Sequence, residues 1–303
     1  MVTLSVVDGV LVIDKPRGIT SHDVVSAVRR LLREPRVGHA GTLDPLATGV
    51  LVLVCGRATR LVRFFSASHK SYEATIVFGV TTDSYDVTGT ETSRSAARPS
   101  REAVEGAVAS LSGEYLQEPP AFSAKKVAGA RAYALARQQK PVALAAVPVQ
   151  VTEASVRAFD GERATVTLTC SAGFYVRSFA HALGQRVGCG AALETLRRTR
   201  SGEFTLEVAV PLDRLSDASD AAALVTPLDR VLRAFPGVQL SDEGLNRVRH
   251  GRVLALEDGT PVPPGGAADE GAGWVRLLTQ DGRLVAMAER RSGSALHPSI
   301  VLI

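Results

Sequence analysis

Apolar residues recur along this chain in three rhythms. Gly9 to Ile13 and Val50 to Val54 are short unbroken apolar runs rich in β-branched residues, the pattern of strands buried on both faces. Ser71 to Val80 alternates instead, placing Tyr72, Ala74, Ile76, Phe78 and Val80 on one face of a strand. Val24, Val25, Ala27, Val28, Leu31 and Leu32 recur at helical spacing, with Thr20 or Ser21 as cap and Asp23 in the first turn. Further helices are predicted at Arg57 to Ser66, Ser100 to Leu111 and Ala191 to Arg198. Another carries Val176, Phe179, Ala180 and Leu183 on one face and ends at Gly184. Val149 to Ala158 and Arg163 to Cys170 flank Asp160-Gly161 as a β-hairpin, and Glu203 to Val210 reads as a further strand. Residues from about Thr82 to Pro99 have no apolar period and read as a loop. From about Pro227 the texture changes: Asp258-Gly259 and Asp281-Gly282 mark turns, and Trp274 to Leu278 pairs with Arg283 to Ala288 across the second. These elements predict an α+β protein with a large domain over 1–226 and a small β-rich domain over 227–303.

Charge changes the picture in one place. The 35 basic and 31 acidic residues leave a net charge of only +4, which by itself points weakly to a polyanionic partner. Pro119 to Val149 nevertheless holds Lys125, Lys126, Arg131, Arg137 and Lys140 with no acid at all. Prolines open and close this stretch, a short helix is predicted around Arg131 to Gln138, and few large apolar residues are available to bury it. It reads as a mobile cationic flap over 119–149 that orders on a polyanion. Arg29, Arg30 and Arg33 line the polar face of the first helix, either as solvated charges near its C-terminus or as an RNA contact.

Three cysteines, Cys55, Cys170 and Cys189, lie far apart, an odd number with no Cys-x-x-Cys, and read as reduced structural thiols of a cytoplasmic protein. The N-terminus lacks the pattern of a signal peptide, and no apolar run reaches membrane-spanning length. There is no phosphate-binding glycine loop, no dinucleotide fingerprint, no nucleophile elbow and no histidine spacing suited to a metal. No metal and no cofactor is expected.

The candidate chemistry centres on Gly38 to Leu51, where Asp44 is the single carboxylate. Glycines permit tight turns and Pro45 fixes the backbone after the acid. The residues alone leave two readings open, an Asp bonded to its own turn or an acid held out to a substrate. Tyr72 has the same ambiguity, as a core tyrosine or a site residue. Tyr175 and Arg177 fall in the first turn of a predicted helix, where an arginine opposes the helix dipole unless a carboxylate compensates it. Asp44 is the candidate for that carboxylate.

Gly38-His39-Ala40-Gly41-Thr42-Leu43-Asp44-Pro45-Leu46-Ala47-Thr48-Gly49 resembles the catalytic motif of the TruB family of tRNA pseudouridine synthases. Asp14-Lys15-Pro16-Arg17-Gly18-Ile19-Thr20-Ser21 resembles that family's first motif. Lys70-Ser71-Tyr72-Glu73-Ala74, Pro119-Pro120-Ala121-Phe122-Ser123-Ala124, Tyr175-Val176-Arg177-Ser178 and Leu196-Arg197-Arg198-Thr199 resemble later ones, in the family's order.

The resemblance implies a pseudouridine synthase fold with a mixed, mainly antiparallel sheet and flanking helices. It also implies a C-terminal PUA-like domain. It assigns Asp44 as nucleophile or base, Arg177 as its counterion, and Tyr72 as the ring that stacks on the uracil and relays a proton. It also implies that His39 fills the space left by a flipped base, that Tyr175 and Leu196 line the pocket, and that Lys15 supports the catalytic loop or meets phosphate. The basic flap, through Lys125, Lys126, Arg131 and Arg137, would hold the RNA backbone. The implied substrate is uridine 55 in the T-loop of tRNA, bound through T-arm and acceptor end; no protein partner is implied, and a monomer is the default expectation. The competing reading is a tRNA-binding or refolding module whose catalysis is secondary or lost.

Overall fold

The structure is a computed structural model, and it describes residues 7–123, 126–127, 130–131, 144–217, 221–265, 273–291 and 295–303. In chain order the first half places β1 (Gly9–Lys15), α1 (Ser21–Leu32), β2 (Val37–His39), β3 (Thr48–Cys55), α2 (Val62–Ala67) and β4 (Lys70–Phe78). It continues with β5 (Val80–Thr82), β6 (Glu91–Arg94), α3 (Arg101–Ser110) and β7 (Gly113–Gln117). After the short hairpin β8 (Lys126–Val127) and β9 (Ala130–Arg131) come β10 (Val147–Phe159), β11 (Arg163–Cys170), α4 (Val176–Arg186) and β12 (Ala191–Ser201). Then follow β13 (Phe204–Thr205), β14 (Val210–Pro211), α5 (Leu212–Asp217) and β15 (Thr226–Pro227). The remainder is β16 (Gly237–Leu240), α6 (Asp242–Arg249), β17 (Gly259–Val262), β18 (Trp274–Leu278), β19 (Leu284–Arg290) and β20 (Leu296–Val301).

The main sheet runs β14-β1-β3-β12-β4-β11-β10-β7, with β2, β13 and β15 paired at its side. It is antiparallel except where β1 meets β14 and β12 meets β3. The unbroken apolar runs of β1 and β3 have a direct cause. Leu11, Ile13, Leu51 and Leu53 face the core closed by α1, α3 and α4. Val10, Val12, Val50, Val52 and Val54 face a second core, shared with Phe64, Phe65, Phe235 and Met287. A strand covered on both faces has no polar side to alternate with. The five-stranded second sheet, β17-β16-β18-β19-β20, therefore packs on the back of the first; Phe64 of α2 meets Trp274 edge-to-face at 4.9 Å. Among the described residues no helix is long and apolar enough to cross a membrane.

Several expectations are corrected. Ala191 to Arg198 is a strand, not a helix: its good helix formers are overruled by β4 on one side and the end of β3 on the other, with a bulge at Glu194. Gly184 does not end α4, which runs to Arg186; a Cβ there would lie 2.1 Å from the Ala191 nitrogen, so glycine lets the helix touch β12. The predicted helix from Arg57 to Ser66 is a 3-10 turn (Gly56–Leu61) followed by α2. Glu203 to Val210 is a 3-10 turn between two two-residue strands. The loop after Thr82 contains the hairpin strand β6, and Ser241 caps α6, a helix the turn-rich C-terminal texture hid. Of the flap residues, Lys126 and Arg131 face each other in the β8–β9 register, while Lys125, Arg137 and the predicted helix beyond Arg131 lie outside the described residues.

Candidate active site

Thr20 and Asp23 cap α1 reciprocally, Thr20 accepting from the Asp23 amide and Asp23 from the Thr20 amide. This sets the next residue, buried Ser21, against the Asp44 loop. Its hydroxyl donates to the Leu43 carbonyl at 2.9 Å and accepts from the Leu43 amide at 2.8 Å. On the far side of the acid, the Gly18 amide donates to the Pro45 carbonyl at 2.8 Å and the Ala47 amide to the Asp44 carbonyl at 3.0 Å. The backbone of the acid is thus held on both sides and its side chain is left for another partner.

That partner is Arg177. Its Nε lies 2.9 Å from Asp44 Oδ2, and the two side chains are 7% and 41% exposed. The compensating carboxylate expected for an arginine at the start of α4 is therefore Asp44. A second acid, which the sequence reading did not single out, lies 3.8 Å from the same Nε: Asp86, whose side chain is 6% exposed. Arg177 spends its other donors on the carbonyls of Ser84 at 3.1 Å and Phe122 at 2.9 Å. One guanidinium thus joins the Asp44 loop, the turn of Asp86, and the Pro119–Ser123 segment that leads into the flap.

The Asp86 turn is itself tightly bonded. Asp86 Oδ1 accepts from the Thr88 amide at 2.9 Å, from the Thr88 hydroxyl and from the Ser84 hydroxyl at 3.1 Å. Tyr85 takes a left-handed backbone (φ 65°) and its ring stacks on His181, one helical turn below Arg177, at 4.0 Å and 14°. The Val87 amide donates to Leu193 of β12, and the Leu193 amide donates to Tyr85, which fixes the turn to the sheet. The only sequence signal for this arrangement was an acid between serine and threonine residues, common in solvated turns.

Tyr72 is buried on β4, directly opposite Arg198 of β12. Burial raises its phenol above the ordinary value, and the Arg198 charge pulls the other way. Tyr175 precedes α4 and exchanges two hydrogen bonds with the Gln117 side chain, at 2.8 and 3.1 Å; burial raises its phenol too. The Asp44 charge reaches both phenols, pushing each further up. Leu196 is buried on β12 opposite Ala74. His39 stands half-buried on β2; burial lowers its imidazole, and its Nδ1 has no hydrogen-bond partner among the described residues.

Lys15 is fully buried, its ammonium on the carbonyls of Pro16 at 2.9 Å and Ile19 at 2.7 Å, and burial brings it down to about 8. From there it braces the turn before α1; of the two roles implied for it, a phosphate contact does not fit a side chain without solvent access. Arg29, on the polar face of α1, donates to the Val37 carbonyl at 2.7 Å and so braces β2. Arg197 makes a two-bond pair with Asp14, at 2.8 and 3.1 Å. Arg198, named only as part of a motif, is 1% exposed.

An acid held half-open on a buried arginine thus stands near one buried phenol, Tyr72, and one half-buried phenol, Tyr175. Comparison with known proteins names the class. The family model "TruB family pseudouridylate synthase (N terminal domain)" matches residues 29–176, and "tRNA pseudouridylate synthase B C-terminal domain" matches 177–235. A protein of Solibacter usitatus named tRNA pseudouridine synthase B is 44% identical over 299 residues, covering 97% of this chain and 100% of the relative. One of the same name from Thermobifida fusca is 44% identical over 304 residues, covering 97% and 98%. Among solved structures, a Cbf5-Nop10-Gar1 complex matches with TM-score 0.76 at 25% identity, over 98% of this chain and 86% of that one. An archaeal box H/ACA Nop10-Cbf5 complex matches with TM-score 0.74 at 24%, over 100% and 88%. The fold is that of the pseudouridine synthases, with a mixed α/β body and a C-terminal sheet. The chain belongs to the TruB family of pseudouridylate synthases.

Proposed function

We propose that this chain is an isomerase that converts uridine 55 in the T-loop of tRNA to pseudouridine, with Asp44 as its nucleophile or base. The observation that carries the reading is the Asp44–Arg177 contact inside the glycine-flanked loop. The relatives' names supply tRNA as the substrate.

The reaction breaks the N1–C1′ bond, turns the base, joins C5 to C1′ and moves the C5 proton away, with no net redox or phosphate chemistry. Asp44 acts on the flipped nucleotide while Arg177 holds and aims its carboxylate. Tyr72 offers its ring face to the uracil, and its phenol relays the proton leaving C5. Tyr175 and Leu196 shape the pocket wall, and His39 occupies the gap left in the RNA stack. Flipping costs a few kcal/mol of stacking, which contacts along the RNA must offset. The basic segment of 119–149 and a C-terminal domain over 227–303 supply them by gripping the T-arm and acceptor end, so binding weakens with salt. The protein works as a monomer. A module that only refolds tRNA has no use for an acid poised on a buried arginine.

The test is carbodiimide-based primer extension on an unmodified tRNA transcript, with no added cofactor and EDTA present. A new stop at position 55, absent from a transcript carrying cytidine there, is the expected result. Tight tRNA binding with no stop at any uridine would replace the enzyme by the refolding module.

A further inference from the structure

The largest fully buried side chain in the described molecule is a guanidinium that the proposed reaction does not use, that of Arg198. Burying a charge is costly unless it is paired, and none of its hydrogen bonds among the described residues goes to a carboxylate. Its Nε donates to the Val50 carbonyl at 2.6 Å and its Nη2 to the Gly41 carbonyl at 3.2 Å. Those residues stand at the two ends of the Asp44 loop, three positions before the acid and six after it. One side chain from another strand therefore ties the loop closed.

The backbone enforces this placement. Arg198 pairs in parallel with Gly49, and a Cβ on Gly49 would lie 2.2 Å from the Arg198 carbonyl oxygen. Gly49 also has φ of 99°, open to glycine at little cost, so β12 comes this near only because position 49 is glycine. Across β12, Arg198 is the register partner of Tyr72, and such partners project on the same face with Cβ atoms about 5 Å apart. A Cβ on Gly41 would fall 3.5 Å from Arg198 Nη1 and 3.9 Å from Lys70 Cε, which puts a second buried cation beside the first. The Lys70 ammonium rests on the carbonyls of Ser66 and Ser68. Two buried cations, neither hydrogen-bonded to a carboxylate among the described residues, thus lie together between the Asp44 loop and β4.

We propose that Arg198 is a positioning residue for the reaction: it pins both ends of the Asp44 loop and presents positive charge to the Tyr72 side of the pocket. This rests on the reading of Asp44 and Tyr72 as the site. A planar fork suits the task, since its Nε and Nη2 meet two carbonyls nine positions apart in the chain in one rigid plane, where a lysine offers a single point charge on a flexible stem.

The test is single-turnover and steady-state kinetics on unmodified tRNA with wild type, Arg198→Met, Arg198→Lys and Asp44→Asn. Arg198→Met is expected to lower kcat about 100-fold, the scale of losing one fixed electrostatic donor. Arg198→Lys, which keeps the charge, should lose about 10-fold, and KM should move less than about 3-fold in both. A wild-type kcat in Arg198→Met, a loss carried by KM, or equal losses in both variants overturns the proposal. Should Arg198→Met not fold, Arg198→Lys decides alone: lowered kcat at constant KM supports it, and unchanged kcat or a raised KM overturns it. Activity in Asp44→Asn would overturn the site reading itself; an inactive Asp44→Asn beside a fully active Arg198→Met would overturn only the role of Arg198.

Discussion

Two short segments meet at Arg177, and they differ in what they leave free. In the Asp44 loop the backbone is held by Ser21 and Gly18 while the carboxylate stays 41% exposed. In the Asp86 turn the carboxylate is 6% exposed, and one of its oxygens is bonded by Ser84 and Thr88. Of the two acids on Arg177, one thus stands half-open and the other is built into its turn. Exposure and spare hydrogen-bonding capacity, rather than proximity to the arginine, mark the acid that can react. A buried acid with its partners in place serves better to hold Arg177 at a fixed height than to attack anything.

Removing the shared partner should have the largest effect. Arg177→Met leaves two acids without their cation and is expected to lower kcat about 10³-fold, with tRNA affinity little changed, as measured by tritium release from uridine-labelled tRNA. Loosening the Asp44 side comes next. Ser21→Ala strands a buried amide and carbonyl at Leu43 and should cost about 1–3 kcal/mol in urea unfolding, with kcat lowered alongside. Thr88→Val loosens the Asp86 side by one hydroxyl while keeping the amide bond, and only a several-fold fall in kcat is expected in the same assay. A larger loss from Thr88→Val than from Ser21→Ala would break the division of roles.

Stability should also change with pH. Burial brings Lys15 and Lys70 down to about 8 from the ordinary 10.5. Between those values the unfolded chain binds more protons on them than the folded one, so their contribution to stability rises with pH. Urea midpoints from pH 7.5 to 10 should show this rise, and Lys15→Met should leave about half of it, the part that Lys70 supplies.

The same contrast explains what could be read from the sequence. The Asp44 loop stood out by its glycines, its proline and its lone acid, but those residues alone left open whether the acid bonds its own turn or faces a substrate, and only the family resemblance chose between the two. The helix rhythm of Val24, Val25 and Val28 and its Thr20 cap were plain. Asp86 was not legible, since Ser-Tyr-Asp-Val-Thr-Gly is also what a solvated turn looks like, and only the fold brings it to Arg177. Ala191 to Arg198 misled for the opposite reason. Its residues favour a helix locally, but the gap between β3 and β4 takes a strand, and that strand is what carries Leu196 and Arg198 to the site. Lys15 and Arg198 show a further limit: a sequence displays a cation but not whether carbonyls bury it.

The division between the two acids is tested most directly by single-turnover pseudouridine formation on one tRNA transcript with Asp44→Asn and Asp86→Asn side by side. No detectable product is expected from Asp44→Asn at wild-type tRNA affinity. Asp86→Asn, whose amide oxygen can still accept from Ser84 and Thr88, should give full conversion at a rate lowered about 10- to 100-fold. Measurable turnover by Asp44→Asn, or a complete loss in Asp86→Asn alone, would contradict that division.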